Sequence, residues 1–292
     1  MNTSHRKLRV MAWNTCSIKG KYQELLHYAN THDLDVLMLT EVKLPSTKTW
    51  TLPNYTSYIA HDSEDLGRAG AILLVKSSFN QSPLPPVRET DVQMARCILQ
   101  TEGENIQIGS VYIPPEDRRR GRKLTMGTLV SISHELGSTF VIGGDFNDKN
   151  TSWNDNRANS YGVLLDRWRH NFGLHFETPG VPTRYDSRPN VSPSHIDFFV
   201  MKGLQARVCN TRVYNDLSSD HLPVHTDLHV APVAYIHRPT LIKHSMDWDK
   251  HRQYLSDNLQ TLPVMKATDD IDSAVSRITS LITTAATISA PQ

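Results

Sequence analysis

Asp145 and Asn147 stand two residues apart in IGGDFND (142–148), directly after the apolar run Thr139 to Ile142. In an extended chain residues i and i+2 point the same way, so the carboxylate and the amide would lie side by side at the carboxyl end of a strand. Such a pair suits a phosphate or a metal-bound water. A turn rich in Asp and Asn is the plainer reading, and this stretch alone supports both. Gly143 and Gly144 lack a Cβ, which lets another backbone or a ligand come close. Polar residues of the same kind recur at the ends of other apolar runs: Asn14 after VMAW, Glu41 after LMLT, Tyr112 in SVYIPP, Asp197 in SHIDFF, and Asp220 with His221 in LSSDHLP. Each alone is explained by a turn or by water; their recurrence along one chain points to a shared site.

The elements that must position these residues are short, β-rich runs: Leu8 to Trp13, Val36 to Thr40, Ala71 to Val75, Ala95 to Leu99, Ile106 to Ile113, Thr139 to Ile142, Ile196 to Met201 and Pro223 to Leu228. They read as strands. Apolar spacings of three and four predict helices over about Lys21 to Asn30, Leu124 to Leu136 and Tyr161 to Asn171. Mixed strands and helices imply a layered α/β or α+β fold. The strand pattern stops near Val230, and APVAYIHRP reads as a Pro-containing linker. Beyond it, SMDWDKHRQYLSDNLQTL and DDIDSAVSRITSLITTAATI both have helical periodicity. In the second, Ile271, Val275, Ile278, Ile282 and Ala285 are expected to form one apolar stripe behind an acidic first turn. The expected division is therefore a strand-rich domain over residues 1–230 and a helical segment over 231–292.

With 292 residues and 38% hydrophobic content, the chain can bury a large core. Its net charge of +1 means that nucleic-acid binding would depend on local basic clusters. EDRRRGRK, with Arg118, Arg119, Arg120, Arg122 and Lys123, is such a cluster, read equally well as a solvated charge run. Cys16, Cys97 and Cys209 are odd in number and far apart, which argues against a disulfide framework and a zinc site and for a reducing compartment. No signal-peptide core or membrane-length apolar segment occurs in the sequence, so a soluble, intracellular protein is expected. The sequence holds no GxSxG, GxxxxGK[ST], HExxH or CxxC, which leaves a Ser-His-Asp hydrolase little support.

Taken in order, WN, LTE, VYIPP, GGDFN, SHIDFF and SSDHLPV, spread over residues 13 to 224, resemble the motifs of the endonuclease/exonuclease/phosphatase superfamily. The set is most similar to the endonucleases of jockey-like non-long-terminal-repeat retrotransposons. This resemblance implies a four-layer α/β sandwich, two mostly antiparallel β-sheets flanked by α-helices, with the site where the loops of both sheets converge. Hydrolysis of a phosphodiester needs an activated water, in-line geometry and stabilisation of the developing charge. Oxygen ligands suit Mg²⁺, with Mn²⁺ as a possible substitute. On this reading Glu41 is the leading metal ligand, supported by Asn14 and Asp220. Asp145 and Asn147 bind and orient the attacking water, His221 donates to a phosphoryl oxygen or moves a proton, Asp197 holds its ring, and Tyr112 supplies a phenolic donor. The general base stays open. His195 is a candidate DNA contact beside the arginine cluster. Many superfamily members carry an Asp two residues after the WN asparagine. Cys16 stands there in this chain, a poor Mg²⁺ ligand, which leaves the metal fewer protein groups.

The resemblance further implies an enzyme that nicks double-stranded DNA to leave a 3′-hydroxyl for target-primed reverse transcription. It acts in the nucleus after synthesis in the cytoplasm, with no small-molecule cofactor and no membrane. DWDKHRQYL and AATISAP resemble the stretch that joins endonuclease to reverse transcriptase in such polyproteins. Residues 231–292 are thus expected to be a helical connector, with the element RNA reached through the rest of the polyprotein. The alternatives are an abasic-site repair endonuclease or another phosphoesterase of the superfamily, and an inactive relic that only binds nucleic acid.

Overall fold

The computed structural model describes residues 7–62, 64, 67, 69–117, 119, 122–189, 191–235, 246–259 and 268–290. The chain divides into two compact units, Met1–Tyr235 and Ile236–Gln292.

In the first unit, one sheet is built from β1 (Leu8–Asn14), β2 (Val36–Thr40), β3 (Tyr55–Ala60), β4 (Ala71–Lys76), β12 (Val208–Val213) and β13 (Val224–Leu228), in the spatial order β12-β13-β1-β2-β4-β3. The other is built from β5 (Gln81–Pro83), β6 (Val87–Arg88), β7 (Gln93–Gln100), β8 (Asn105–Tyr112), β9 (Phe140–Asp145), β10 (His175–Glu177) and β11 (Asp197–Lys202). Its order is β10-β11-β9-β8-β7-β5, with β6 also on β7. Only β1–β2 and β8–β9 pair in parallel among the described strands; the other pairs are antiparallel.

Three apolar layers hold this arrangement. Inner faces of both sheets meet in a core that includes Val10, Met38, Leu73, Cys97, Ile108, Val141 and Phe199. The outer face of the first sheet is covered by α1 (Tyr22–Thr31), which buries Leu25 and Ala29. The outer face of the second is covered by α2 (Met126–Leu136) and α3 (Ser160–Phe172), through Leu129, Ile132, Leu165 and Trp168. The fold is therefore a four-layer α/β sandwich. Helix starts follow local chemistry: Thr125 accepts from Thr128 N at 3.1 Å, and Asn159 accepts from Gly162 N at 2.7 Å.

Each strand expected from the sequence is present, but β3, β5, β6, β10 and β12 are additional. They are short or lie at sheet edges, and β12 has no fully buried residue, so apolar runs did not reveal them. Residues 231–235 of the expected linker are hydrogen-bonded to the first unit. Ala231 O accepts from Glu102 N at 3.1 Å, Val233 N donates to Gln100 O at 2.9 Å, and Tyr235 N donates to Ser78 O at 2.7 Å, so residues 231–235 extend the first unit. Pro239 lies outside the described residues.

The second unit contains α4 (Trp248–Asn258), capped by Asp247, and α5 (Thr268–Ser289). The single stripe expected on α5 splits. Ala285 is buried and Ile278 half-buried, while Ile271, Val275 and Ile282 are exposed. The inward face instead runs through Ala274, Ile278, Leu281 and Ala285. No described helix is long and apolar enough to cross a membrane.

Candidate active site

Side chains alternate along a strand, so the inward rows that fill the core continue to the strand ends. Val10 and Ala12 are followed by Asn14, Met38 by Thr40, Ile108 by Tyr112 two steps on, and Val141 by Asp145 past Gly143, while Phe199 is preceded by Asp197. Register completes the alignment: Asp145 on β9 pairs directly with Tyr112 on β8 and Asp197 on β11, and Asn14 pairs with Thr40. Apolar residues give way to polar ones at a common end of both sheets.

The two glycines before Asp145 are required by packing. A Cβ on Gly143 would lie 2.5 Å from Phe199 Cδ1, and one on Gly144, whose φ is +152°, would lie 2.0 Å from Val111 O. The close approach read from their lack of side chains is to protein. Three site residues, Cys16, Glu41 and Asn147, have φ of +48°, a left-handed backbone that costs energy in non-glycine residues and collects at functional sites.

Asp145 is fully buried, and its carboxylate accepts three hydrogen bonds from two residues. Asn147 N donates to Oδ1 at 2.8 Å; Asn14 Nδ2 and Asn147 Nδ2 donate to Oδ2 at 2.8 and 3.1 Å. Asn147 Nδ2 also donates to Ile113 O at 3.1 Å, so both amide hydrogens are committed to protein. Asp197 accepts from Thr183 Oγ1 at 2.7 Å and lies 2.8 Å from His221 Nδ1. Trp13 Nε1 donates to His221 O at 2.9 Å, and Ser219 Oγ, which donates to Asn14 O, accepts from His221 N at 3.2 Å. Tyr112 OH donates to Glu41 Oε1 at 3.0 Å.

Charge follows from this packing. Burial raises the Asp145 carboxyl to about 8, with the neighbouring Asp197 carboxylate adding to the rise and His221 opposing it. Burial lowers the His221 imidazole, but the charge and hydrogen bond of Asp197 outweigh it and bring the ring up to about 9. Tyr112 is held as the neutral phenol by burial and by the Glu41 and Asp145 carboxylates. At neutral pH the site thus offers a charged imidazolium beside a carboxyl poised close to the working range.

Asp145, Asp197 and His221 each place one ligand-type atom within 4.8 Å of the others, a grouping that occurs once among the described residues. Asp145 and Asp197 nevertheless spend their oxygens on protein donors. Glu41 differs: its side chain is 21% exposed and, among the described residues, is bonded to Tyr112 and lies near Lys43, whose Nζ is 3.4 Å from Oε2. A partly solvated carboxylate with oxygens left over fits a Mg²⁺ ion that keeps waters and takes one or two protein ligands. Of the other expected ligands, Asn14 turns Oδ1 to Cys16 N at 2.9 Å and its amide hydrogen to Asp145. Asp220 accepts from Arg184 Nε at 3.2 Å. Asn14 and Asp220, expected beside Glu41 as ligands, thus each carry a protein hydrogen bond as well.

The residues expected to contact DNA are placed unevenly. His195 is only 8% exposed, with burial lowering its imidazole and its backbone N donating to Asp155 at 3.2 Å. Arg119 is exposed. Arg122 donates to Pro115 O at 3.3 Å and lies close enough to Tyr112 for its charge to reach the phenol. Arg118 and Arg120 lie outside the described residues. Thr183 and Arg184 were not singled out in the sequence because they sit in an irregular segment with no periodic signal. Ser219 could have been found, since it belongs to the SSDH run.

Asp148 is also fully buried, with neither carboxylate oxygen meeting a hydrogen-bond partner. Burial, helped by the Asp145 and Asp155 carboxylates, raises its carboxyl well above 3.8. A raised folded-state value means that the group's stabilising contribution is complete below the unfolded value and is lost as pH rises above it. Asp148→Asn is therefore expected to raise Tm at pH 7.5 by at least about 2 °C, the shift that accompanies ~1 kcal/mol in a domain of this size. Thermal melts should show the gain shrinking as pH falls toward 4. A variant that melts lower at pH 7.5 would contradict this.

Comparison with known proteins agrees with this geometry. Residues 11–221 match the model of the Endonuclease/Exonuclease/phosphatase family. The chain is 32% identical over 284 residues to the RNA-directed DNA polymerase from mobile element jockey of Drosophila funebris, covering 97% of this chain and 30% of that protein. A probable RNA-directed DNA polymerase from transposon X-element of Drosophila melanogaster is 29% identical over 280 residues, covering 96% of this chain and 30% of its own. The chain thus spans about a third of the length of these relatives. Among solved structures, the endonuclease domain of TRAS1, a telomere-specific non-LTR retrotransposon, superposes with a TM-score of 0.63 at 20% identity, covering 76% of this chain and 98% of that one. An AP endonuclease from Leishmania major gives 0.64 at 15%, covering 76% and 88%.

Proposed function

This chain belongs to the endonuclease/exonuclease/phosphatase family, and from that premise we propose that it is a metal-dependent endonuclease nicking double-stranded DNA, whose 3′-hydroxyl product primes reverse transcription of a retrotransposon. The observation that carries the reading is the intact network of Asp145, Asn147, Asp197 and His221 at the common end of both sheets. A protein that only bound nucleic acid would gain nothing from burying those groups together.

In the proposed reaction, Asn147 has both amide hydrogens engaged, so its Oδ1 is the atom that meets the attacking water. Asp145 orients that water and takes its proton, a task for which a carboxyl raised to about 8 is well matched. His221, charged at neutral pH and held by Asp197, gives its Nε2–H to a phosphoryl oxygen as negative charge grows there. Tyr112 adds a neutral donor near Glu41. Glu41 is the residue that would hold Mg²⁺ or Mn²⁺. A bound divalent ion would neutralise phosphate charge and stabilise the leaving oxygen.

Residues 236–292 are proposed to be a helical connector toward a reverse transcriptase. Its element RNA would be the second nucleic-acid partner, with synthesis in the cytoplasm and action in the nucleus. Its helices contribute no residue to the network above.

The test is the chemistry of the nick. Plasmid nicked by the full chain should be extended by a DNA polymerase without prior phosphatase treatment, and a chain ending at Tyr235 should give the same product. An end that needs phosphatase before extension would overturn the priming role. Cleavage confined to plasmid carrying abasic sites would favour a repair endonuclease instead.

A further inference from the structure

Between the two sheet ends runs a three-residue tie, Thr183 to Tyr185. Thr183 N and Arg184 N donate to Ser194 O at 2.9 and 3.0 Å, and Ser194 N returns a bond to Arg184 O at 3.1 Å. On the other side Tyr185 N donates to Asp220 O at 2.9 Å and Leu222 N donates to Thr183 O at 2.7 Å, which sets Arg184 opposite His221 in an antiparallel bridge. The backbone of Arg184 is thus fixed beside the catalytic histidine.

Its side chain leaves that tie toward the carboxylates. Nε lies 3.2 Å from Asp220 Oδ2, and one terminal nitrogen lies 3.7 Å from Asp186 Oδ2. The side chain is 33% exposed, and its charge reaches Asp145. A guanidinium has five N–H donors in a rigid fork, of which Asp220 takes one at the Nε side. Asp186 lies beyond hydrogen-bond range of the terminal nitrogens, so among the described residues donors remain for a ligand, beside a site that gathers Glu41, Asp145, Asp197 and Asp220. A phosphodiester cannot approach those carboxylates without positive charge to meet it, and a fixed, forked cation suits its two free oxygens.

We infer that Arg184 is a phosphate-contacting residue of this site, and that Asp220 positions its guanidinium instead of serving as a metal ligand. This rests on the nuclease reading above. It accounts for two features at once: a half-buried arginine that no sequence motif marks, and an aspartate of the SSDH run turned to that arginine. The plainer possibility is an ion pair that only pins the segment between Tyr185 and Ser194.

The experiment compares the full chain with Arg184→Ala, Arg184→Lys, Asp220→Asn and the Arg184→Ala/Asp220→Asn pair, using steady-state nicking of a duplex oligonucleotide and thermal melts. Arg184→Ala should raise KM about 10-fold or more with kcat within about 3-fold, and should lower the steepness of salt dependence by about one phosphate contact. Arg184→Lys should recover part of the loss, since it restores charge without the fork. Asp220→Asn should raise KM in the same direction, add little in the double variant, and not be rescued by more Mg²⁺. Wild-type KM and salt dependence in Arg184→Ala would overturn the inference and leave the nuclease reading standing. So would a loss in Arg184→Ala that tracks a fall in Tm and is not relieved by Lys, or rescue of Asp220→Asn by excess Mg²⁺. A wild-type chain that neither binds nor nicks the duplex would overturn both.

Discussion

Replacing Asp145 by Asn is expected to cut the nicking rate about 10²- to 10⁴-fold, the range for removal of a positioned proton-transfer group. The change keeps shape and size, but its NH2 replaces an oxygen that accepts from Asn14 or Asn147, so at least one of those hydrogen bonds is lost. His221→Ala should be comparably inactive but less stable, since it leaves the buried Asp197 carboxylate without its cationic partner. Combining the two changes should cost little more than either, as expected of groups that act on one event. The pH profile follows from the same pair. Asp145 must lose its proton to act as base, so the rate should climb toward about pH 8; His221 must keep its proton, so the rate should fall beyond about pH 9. A stopped-time nicking assay from pH 6 to 10 reads both limbs. Activity in Asp145→Asn equal to the wild type would remove this residue from the reaction.

Much of this site was legible because its residues sit where apolar rows end. Asn14, Tyr112, Asp145 and Asp197 each extend an inward row by one or two alternations, and such rows are visible in a sequence. Register was not visible, yet it is register that sets Tyr112 and Asp197 on either side of Asp145. The burial of His195 was not visible either, nor its backbone hydrogen bond to Asp155, 40 residues earlier. The pairing of Asp220 with Arg184 was not visible, because Arg184 lies 36 residues away in an irregular segment. Helix α5 shows a third limit: apolar residues lie on two of its faces, and periodicity alone does not say which face turns inward. Local pattern thus located the chemistry, while long-range contacts decided which charges pair.

The second large effect concerns the metal. Glu41 is the carboxylate of the site with oxygens to spare, held in a left-handed backbone conformation that aims it past Tyr112. Glu41→Gln keeps the shape and the contact with the phenol but removes the charge that would hold Mg²⁺. Nicking should fall about 10²-fold or more at millimolar Mg²⁺ and recover in part as Mg²⁺ is raised, since weaker binding is offset by mass action. The fold should be retained, because Gln keeps the size of Glu and an oxygen to accept from Tyr112. No recovery at any metal concentration would mean that Glu41 acts otherwise than through the metal.

The most direct single measurement is conversion of supercoiled plasmid to open circles by the full chain, run side by side with Mg²⁺, with EDTA, and with Asp145→Asn in Mg²⁺. The account predicts open circles in the first reaction and intact supercoils in the other two. Equal nicking in EDTA, or equal nicking by Asp145→Asn, would contradict it.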